Sequence, residues 1–240
     1  NQNTLSLEMI KELNLNLKNG SKNEDIIVII IAANGPVFSA GHNLKDINSH
    51  RMDADKGKKY FQKLINSCSN LMINIIKNPK PIIVQINGIA TAAGCQLVAS
   101  CDLAYSSEKA KFATPGVNIG LFCSTPMVPI TRILRNKHSM EMLLTGELID
   151  AKKAKYIGLI NDYFNSKVLS KEVYNIAKKI ADKSSDTLKI GKTAFYKQKE
   201  MNILDAYKYT SSVMLKNMLT NDAKEGINAF LKKRKPNWKN

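Results

Sequence analysis

The stretch Pro81-Ile82-Ile83-Val84-Gln85-Ile86-Asn87-Gly88-Ile89-Ala90-Thr91-Ala92-Ala93-Gly94-Cys95-Gln96 decides how this chain folds. Residues 81–86 form a β-branched, mostly apolar run, the pattern of a strand covered on both faces, and Asn87-Gly88 is the turn signal that closes it. Small residues follow. They permit either close helix–strand packing or the approach of a ligand to the main chain. Upstream, Phe61, Leu64, Ile65, Cys68, Leu71, Met72, Ile75 and Ile76 recur at helical spacing over residues 60–76 and stop before Pro79 and Pro81, which predicts a core-facing helix. Before it, residues 26–32 read as a buried central strand that runs into Asn34-Gly35-Pro36. Residues 4–17 read as a short amphipathic helix, with Asn19-Gly20-Ser21 stopping the pattern. A third strand is expected at 103–106. Strands alternating with helices indicate an α/β fold of stacked βαβ units with right-handed crossovers.

Beyond Pro126 the pattern is helical, with segments at 140–145, 151–158, 171–183, 187–199, 204–219 and 222–233. No linker divides the chain, so a core over residues 1–170 with a closely attached helical region over 171–240 is expected. Composition agrees with a folded domain: of 240 residues 44% are hydrophobic and 23% charged. The longest apolar run, residues 26–33, is far short of the roughly 20 residues that span a bilayer, so no membrane helix is expected. Residues 1–17 lack the basic, apolar and small-residue succession of an export signal, so secretion is not expected either.

Cys68, Cys95, Cys101 and Cys123 include no Cys-x-x-Cys pair and read as reduced thiols. His42, His50 and His138 lie at no metal-ligand spacing, so no metal is expected. The net charge is +16. Its lysines are spread along the polar sides of helices, with one cluster at Lys232, Lys233, Arg234 and Lys235, which is the distribution of a solvated surface rather than a nucleic-acid footprint.

Two places bring small residues to the ends of expected strands. One is Phe38-Ser39-Ala40-Gly41-His42-Asn43-Leu44-Lys45 and the other is residues 87–97. Where a helix starts, its first N–H groups lack intrahelical acceptors and point outward; two of them converging on one oxygen make an oxyanion hole.

These segments, with residues 110–120, Glu141-Met142-Leu143-Leu144-Thr145-Gly146, residues 151–158 and the basic ending 224–236, resemble the crotonase, or enoyl-CoA hydratase/isomerase, superfamily over nearly the whole chain. Ala90-Thr91-Ala92-Ala93-Gly94-Cys95-Gln96, Phe112-Ala113-Thr114-Pro115-Gly116 and Gly120-Leu121-Phe122-Cys123-Ser124-Thr125-Pro126 are similar to one branch of it in particular. The resemblance implies a crotonase (ClpP-like) fold of stacked ββα/βαβ units with a helical C-terminal subdomain. That subdomain would assemble trimers or dimers of trimers. The family's β-hairpin ahead of the helix matching residues 5–17 is not included in this sequence. The resemblance further implies a coenzyme A thioester as substrate or ligand, no tightly bound cofactor, and acyl-CoA metabolism of the fatty-acid type in a bacterial cytoplasm or a mitochondrial matrix.

Carried over position by position, the thioester carbonyl would be polarised by the main-chain N–H groups of His42 and Ala93. Ala40 would touch the adenine and Lys45 the phosphates of coenzyme A, while Phe230 and Lys233, in the last helix, would reach the cofactor on a neighbouring subunit. The catalytic glutamates of ordinary hydratases fall on Gln96 and Gly116, and the aspartate of some relatives on Ser124. An amide orients water but does not titrate, and glycine offers only space. The expectation is therefore an enolate-stabilising lyase or isomerase with a non-standard or substrate-assisted proton step; a silent acyl-CoA-binding pseudoenzyme and an RNA-binding relative are the alternatives. His42, Cys123 and Ser124 are the residues left for proton work, Asn118 and Gln96 read as orienting groups, Cys123 as a buried thiol, and Asp102 as a structural hydrogen-bond acceptor.

Overall fold

The computed structural model describes residues 2–238. In chain order its elements are α1 (Leu7–Lys22), β1 (Ile29–Ala32), β2 (Val37–Ser39), α2 (Leu44–His50), α3 (Lys58–Lys77), β3 (Ile82–Ile86), β4 (Ile89–Thr91), α4 (Ala93–Ser100), β5 (Leu103–Ser107) and β6 (Lys111–Ala113). A 3-10 turn at Pro115–Ile119 leads to α5 (Ser124–Ile133), α6 (Asn136–Thr145), β7 (Ile149–Asp150), α7 (Ala151–Ile157), β8 (Asp162–Phe164), α8 (Leu169–Ala181), α9 (Ser185–Gln198), α10 (Ile203–Met218) and α11 (Asn221–Leu231).

The strands form two sheets. The first runs β1-β3-β5-β8, all parallel; the second runs β2-β4-β6-β7, parallel except for its last pair. Each of the first three strands of one sheet passes through a short bend into a strand of the other, so the expected βαβ units are stacked ββα units. Alternation along β3 divides the core: Ile82, Val84 and Ile86 face the large cluster with α1, α3 and α4, while Ile83 faces α8 through Leu169, Val173 and Ala177. α8 thus straddles the 170/171 boundary expected from the sequence and belongs by packing to the first sheet.

Two expectations are corrected. The strand at 26–32 is shorter and lies at the edge of its sheet rather than in its centre, paired with β3 alone among the described residues; Ile31 is buried but Ile30 is 37% exposed. Its apolar composition matched that of a central strand, and composition does not specify neighbours. Nor does Asn19-Gly20-Ser21 stop the first helix, which continues to Lys22. The Ile29 side chain packs on Gly20, where an added β-carbon would stand 3.1 Å from Ile29 Cδ1, and glycine there costs the helix roughly 1 kcal/mol.

Candidate active site

Both small-residue segments fold as bends at the ends of second-sheet strands, and the fold brings them into contact. After β2 the chain turns at Gly41, whose φ is +83°, and enters α2 with Asn43 as the capping residue. After β4 it turns at Ala92, with φ 49° and ψ −117°, and enters α4. That conformation is sparsely populated by residues with a β-carbon and costs on the order of 1–3 kcal/mol. It is held from both sides. Ala92 N–H donates to Ala113 O in the neighbouring β6, and Ala92 O accepts from Gln96 N–H, both at 3.0 Å. A β-carbon at Gly41 would stand 3.1 Å from the Ala93 nitrogen, so glycine is required both by its left-handed backbone and by this close approach.

The result is a pair of free donors. Among the described residues, neither His42 N–H nor Ala93 N–H donates to a protein acceptor, although Ala93 is buried. Each belongs to a peptide group whose carbonyl is already engaged on the opposite side: Gly41 O accepts from Leu5 N–H at 2.8 Å, and Ala92 O from Gln96 N–H. A trans peptide holds its C=O and N–H antiparallel, so fixing each carbonyl aims each donor. Two aimed, unsatisfied N–H groups on touching bends are the chemistry that binds an oxygen carrying negative charge.

The other positions expected at the site carry little acid–base capacity. Gln96 is buried in the first turn of α4, its Oε1 accepting from Cys68 Sγ at 3.9 Å. Gly116 is buried in the 3-10 turn, and the space expected there is closed: a β-carbon would stand 2.7 Å from Leu121 O and 2.9 Å from Cys123 Sγ. The cause is the return of the chain over this turn, with Leu121 N–H donating to Gly116 O at 2.9 Å. Ser124 is exposed at the start of α5, its Oγ 3.4 Å from Phe122 O. Cys123 is a buried thiol, as expected, with desolvation raising its pKa; burial likewise pushes Cys68 and Cys95 up to about 12. No cluster of three His, Cys, Asp or Glu side chains among the described residues could hold a metal.

His42 is half-buried, its Nδ1 2.9 Å from Leu5 O, and desolvation lowers its pKa. Lys45 and Asn43 line a cleft of about 960 Å³ between α2 and the N-terminal segment, which Glu8, Glu12 and Asp46 also border. Ala40 is half-buried, its N–H donating to Gln2 O at 3.1 Å. Phe230 is 82% exposed on α11. Lys233 lies beyond that helix rather than in it, at φ 51°, and no hydrogen bond or ion pair joins either residue to the two bends. Asp102 is the structural acceptor expected: its carboxylate takes Ile82 N–H, Lys192 Nζ and Tyr196 OH at 2.7, 2.6 and 2.9 Å. The sequence reading did not find the role of Leu5, because a main-chain bond across 36 residues leaves no local signal.

Two sheets of parallel ββα units with a helical C-terminal part are a crotonase fold, and the chain belongs to the enoyl-CoA hydratase/isomerase family, whose model matches residues 1–240. Among its relatives, the branch noted above is borne out: the chain is 46% identical to human enoyl-CoA hydratase domain-containing protein 3, mitochondrial, over 99% of this chain and 77% of the relative. The crystal structure of that human protein superposes with a TM-score of 0.92, covering 98% of this chain and 91% of the other. A solved enoyl-CoA hydratase from Mycobacterium smegmatis is 41% identical with a TM-score of 0.90, covering 96% and 88%. The mitochondrial enoyl-CoA hydratase of Pongo abelii is 30% identical over 99% of this chain and 79% of that protein.

Proposed function

We propose that this protein binds an acyl-CoA with the thioester oxygen between His42 N–H and Ala93 N–H, and stabilises the enolate that forms when a proton leaves or joins the acyl chain. The observation carrying this reading is the pair of aimed, unsatisfied donors on touching bends. Loss of one such donor typically costs about 3 to 4 kcal/mol of transition-state stabilisation. Ala40 and Lys45 take the adenine and phosphates of coenzyme A, the Lys45 ammonium offering the one positive charge that lines the cleft beside α2. Phe230 and Lys233 serve a neighbouring subunit's cofactor. The exposed Met214, Met218 and Leu219 of the α10 region are the apolar face that a trimer, or a pair of trimers, covers. The mitochondrial relatives support a matrix location.

Ordinary two-glutamate hydration is not part of the proposal. Gln96 cannot exchange protons as a carboxylate does, and at Gly116 even a β-carbon would stand 2.7 Å from Leu121 O, so the position does not accept an acidic side chain as it stands. The same closure favours a second reading, an acyl-CoA-binding protein without turnover. Purified protein is to be tested with crotonyl-, 3-hydroxyacyl-, malonyl- and dienoyl-CoA, following both turnover and thermal stabilisation. Turnover of any of them supports the enzyme, stabilisation alone supports the silent binder, and neither effect removes both. The Gly116→Glu variant is expected to lose stability rather than gain hydratase activity, because its β-carbon has no place to stand.

A further inference from the structure

We infer that the His42 side chain is a positioning residue: through Leu5 it holds the peptide that supplies one donor of the oxyanion hole. The inference rests on the oxyanion reading above and assigns to the imidazole a part that the reading leaves open.

Leu5 is buried, 2% exposed, and both of its main-chain polar groups are spent on the Gly41–His42 bend. Its N–H donates to Gly41 O at 2.8 Å, and its C=O lies 2.9 Å from His42 Nδ1. A carbonyl can only accept, so Nδ1 carries the hydrogen and the neutral ring has its lone pair on Nε2. The two bonds close a ring. The Gly41 carbonyl that Leu5 grips is part of the same rigid peptide as the His42 N–H, so rotation of that peptide would break the Leu5 bond before it turned the donor away. The imidazole bond then prevents residue 5 from following such a rotation.

Neighbouring contacts extend the clamp. Ala40 N–H donates to Gln2 O at 3.1 Å, and the Asn3 side chain donates to Val37 O at 2.7 Å and Asn34 O at 2.9 Å, so residues 2–5 lie as a strap along the strand and bend. The second donor needs no such strap, because Ala92 O is bound within the first turn of α4 and Ala92 N–H within the sheet. The bend at Gly41 has no equivalent intrinsic lock, since α2 begins two residues after His42 and its cap bond, Lys45 N–H to Asn43 Oδ1, lies beyond the donor.

The test separates the two ring nitrogens. In the His42→Asn variant the amide nitrogen stands where Nδ1 stood and can still donate to Leu5 O, whereas nothing replaces Nε2; His42→Leu removes both. Crotonyl-CoA labelled with ¹³C at the thioester carbon is the probe, and its carbonyl resonance moves downfield when the oxygen is hydrogen-bonded. The wild-type protein and His42→Asn are expected to retain most of the downfield shift, and His42→Leu to lose more than half of it. Equal shifts in His42→Leu and wild type overturn the inference, and so does a His42→Asn variant as deficient as His42→Leu.

Should the leucine variant not fold, ¹⁵N spectra of the wild-type imidazole decide the matter: Nδ1–H with a bare Nε2 is expected, and the opposite tautomer overturns the clamp. A wild-type protein that binds crotonyl-CoA with no carbonyl shift removes the oxyanion reading instead, and the tautomer then still reports on the clamp independently.

Discussion

Helices α4 and α9 dock on the same core by opposite physics. All eight residues of α4 are buried, and the helix sits so close to β2 that a β-carbon at Gly94 would stand 2.3 Å from Ser39 O. α9 is 14 residues long and buries none of them fully; a polar anchor holds it, with Lys192 Nζ on Asp102 Oδ2 at 2.6 Å, on Lys80 O at 3.0 Å and on Ile75 O at 3.1 Å, and with Tyr196 OH on Asp102 Oδ1. The first arrangement fixes a donor, Ala93 N–H, because nothing around it can shift without a clash. The second fixes a direction. It ties the helical arm of α9, α10 and α11 to the core largely through polar groups and leaves large apolar residues of the arm facing outward, Leu204 and Leu219 both more than three-quarters exposed at 79% and 78%. Precision at the site and availability for assembly thus come from different kinds of contact in one chain.

The largest effect expected from disturbing this contrast is at the polar anchor. Lys192 has a side chain only 7% exposed, and Lys192→Met leaves the half-buried Asp102 carboxylate without its cation, at a cost of about 3 to 4 kcal/mol, the low end of the range for breaking a buried pair. Chemical denaturation measures the loss, and hydrogen exchange should locate it in α9 to α11 with α4 amides still protected; equal loosening of α4 would mean that the two dockings are one. Next is Gly94→Ala, which forces α4 away from Ser39 for about 3 kcal/mol. Here α4 and the Ser39–His42 bend should exchange faster while the arm is spared. Tyr196→Phe removes one hydrogen bond to the anchor carboxylate and keeps the ring's packing, so a smaller cost of about 1.5 kcal/mol is expected by the same denaturation measurement.

The sequence carried these two regions unequally. Helix α3 was legible because eight apolar residues at helical spacing leave one interpretation, and its observed span, Lys58–Lys77, brackets the expected 60–76. β3 was legible for a different reason, a continuous β-branched apolar run closed by Asn87-Gly88. The strands of the second sheet were not, since three residues such as Val37–Ser39 or Ile89–Thr91 are too few for alternation to show, and they lie inside segments whose small residues already had another explanation. Both bends were visible as glycine-flanked turns, but the contact between them, and the Leu5 bond that aims one donor, are tertiary facts between segments 36 residues or more apart. Asp102 was readable as a partnered carboxylate from burial logic alone, yet its partners Lys192 and Tyr196 sit on a helix whose pattern gave no reason to prefer one lysine among many.

The smallest expected effect lies at the far end of the arm, where polar contacts again replace packing. Arg234 makes a two-pronged bond to Glu225, at 2.6 and 2.8 Å, and Asn237 N–H adds a third at 2.8 Å, so the chain after α11 folds back along that helix. The fold-back carries Trp238, the only tryptophan, to Asp182 O at 2.9 Å beside the end of α8. The Arg234 guanidinium, with the Asn237 N–H, holds the Glu225 carboxyl down at about 2, below its ordinary 4.5. With the folded value depressed, the released chain takes up a proton more readily than the folded one, so the contribution of this clip is complete above about pH 4.5 and is lost as pH falls toward 2. Tryptophan emission should therefore shift to the red over that interval. Because the rest of the chain also acidifies there, Glu225→Gln isolates the clip: at neutral pH it should already show the red-shifted emission with an unchanged far-ultraviolet spectrum. Emission identical to wild type would instead mean that Trp238 is held by its bond to Asp182 and its packing on Gly226, and that even at its end the arm is secured by contact rather than by charge.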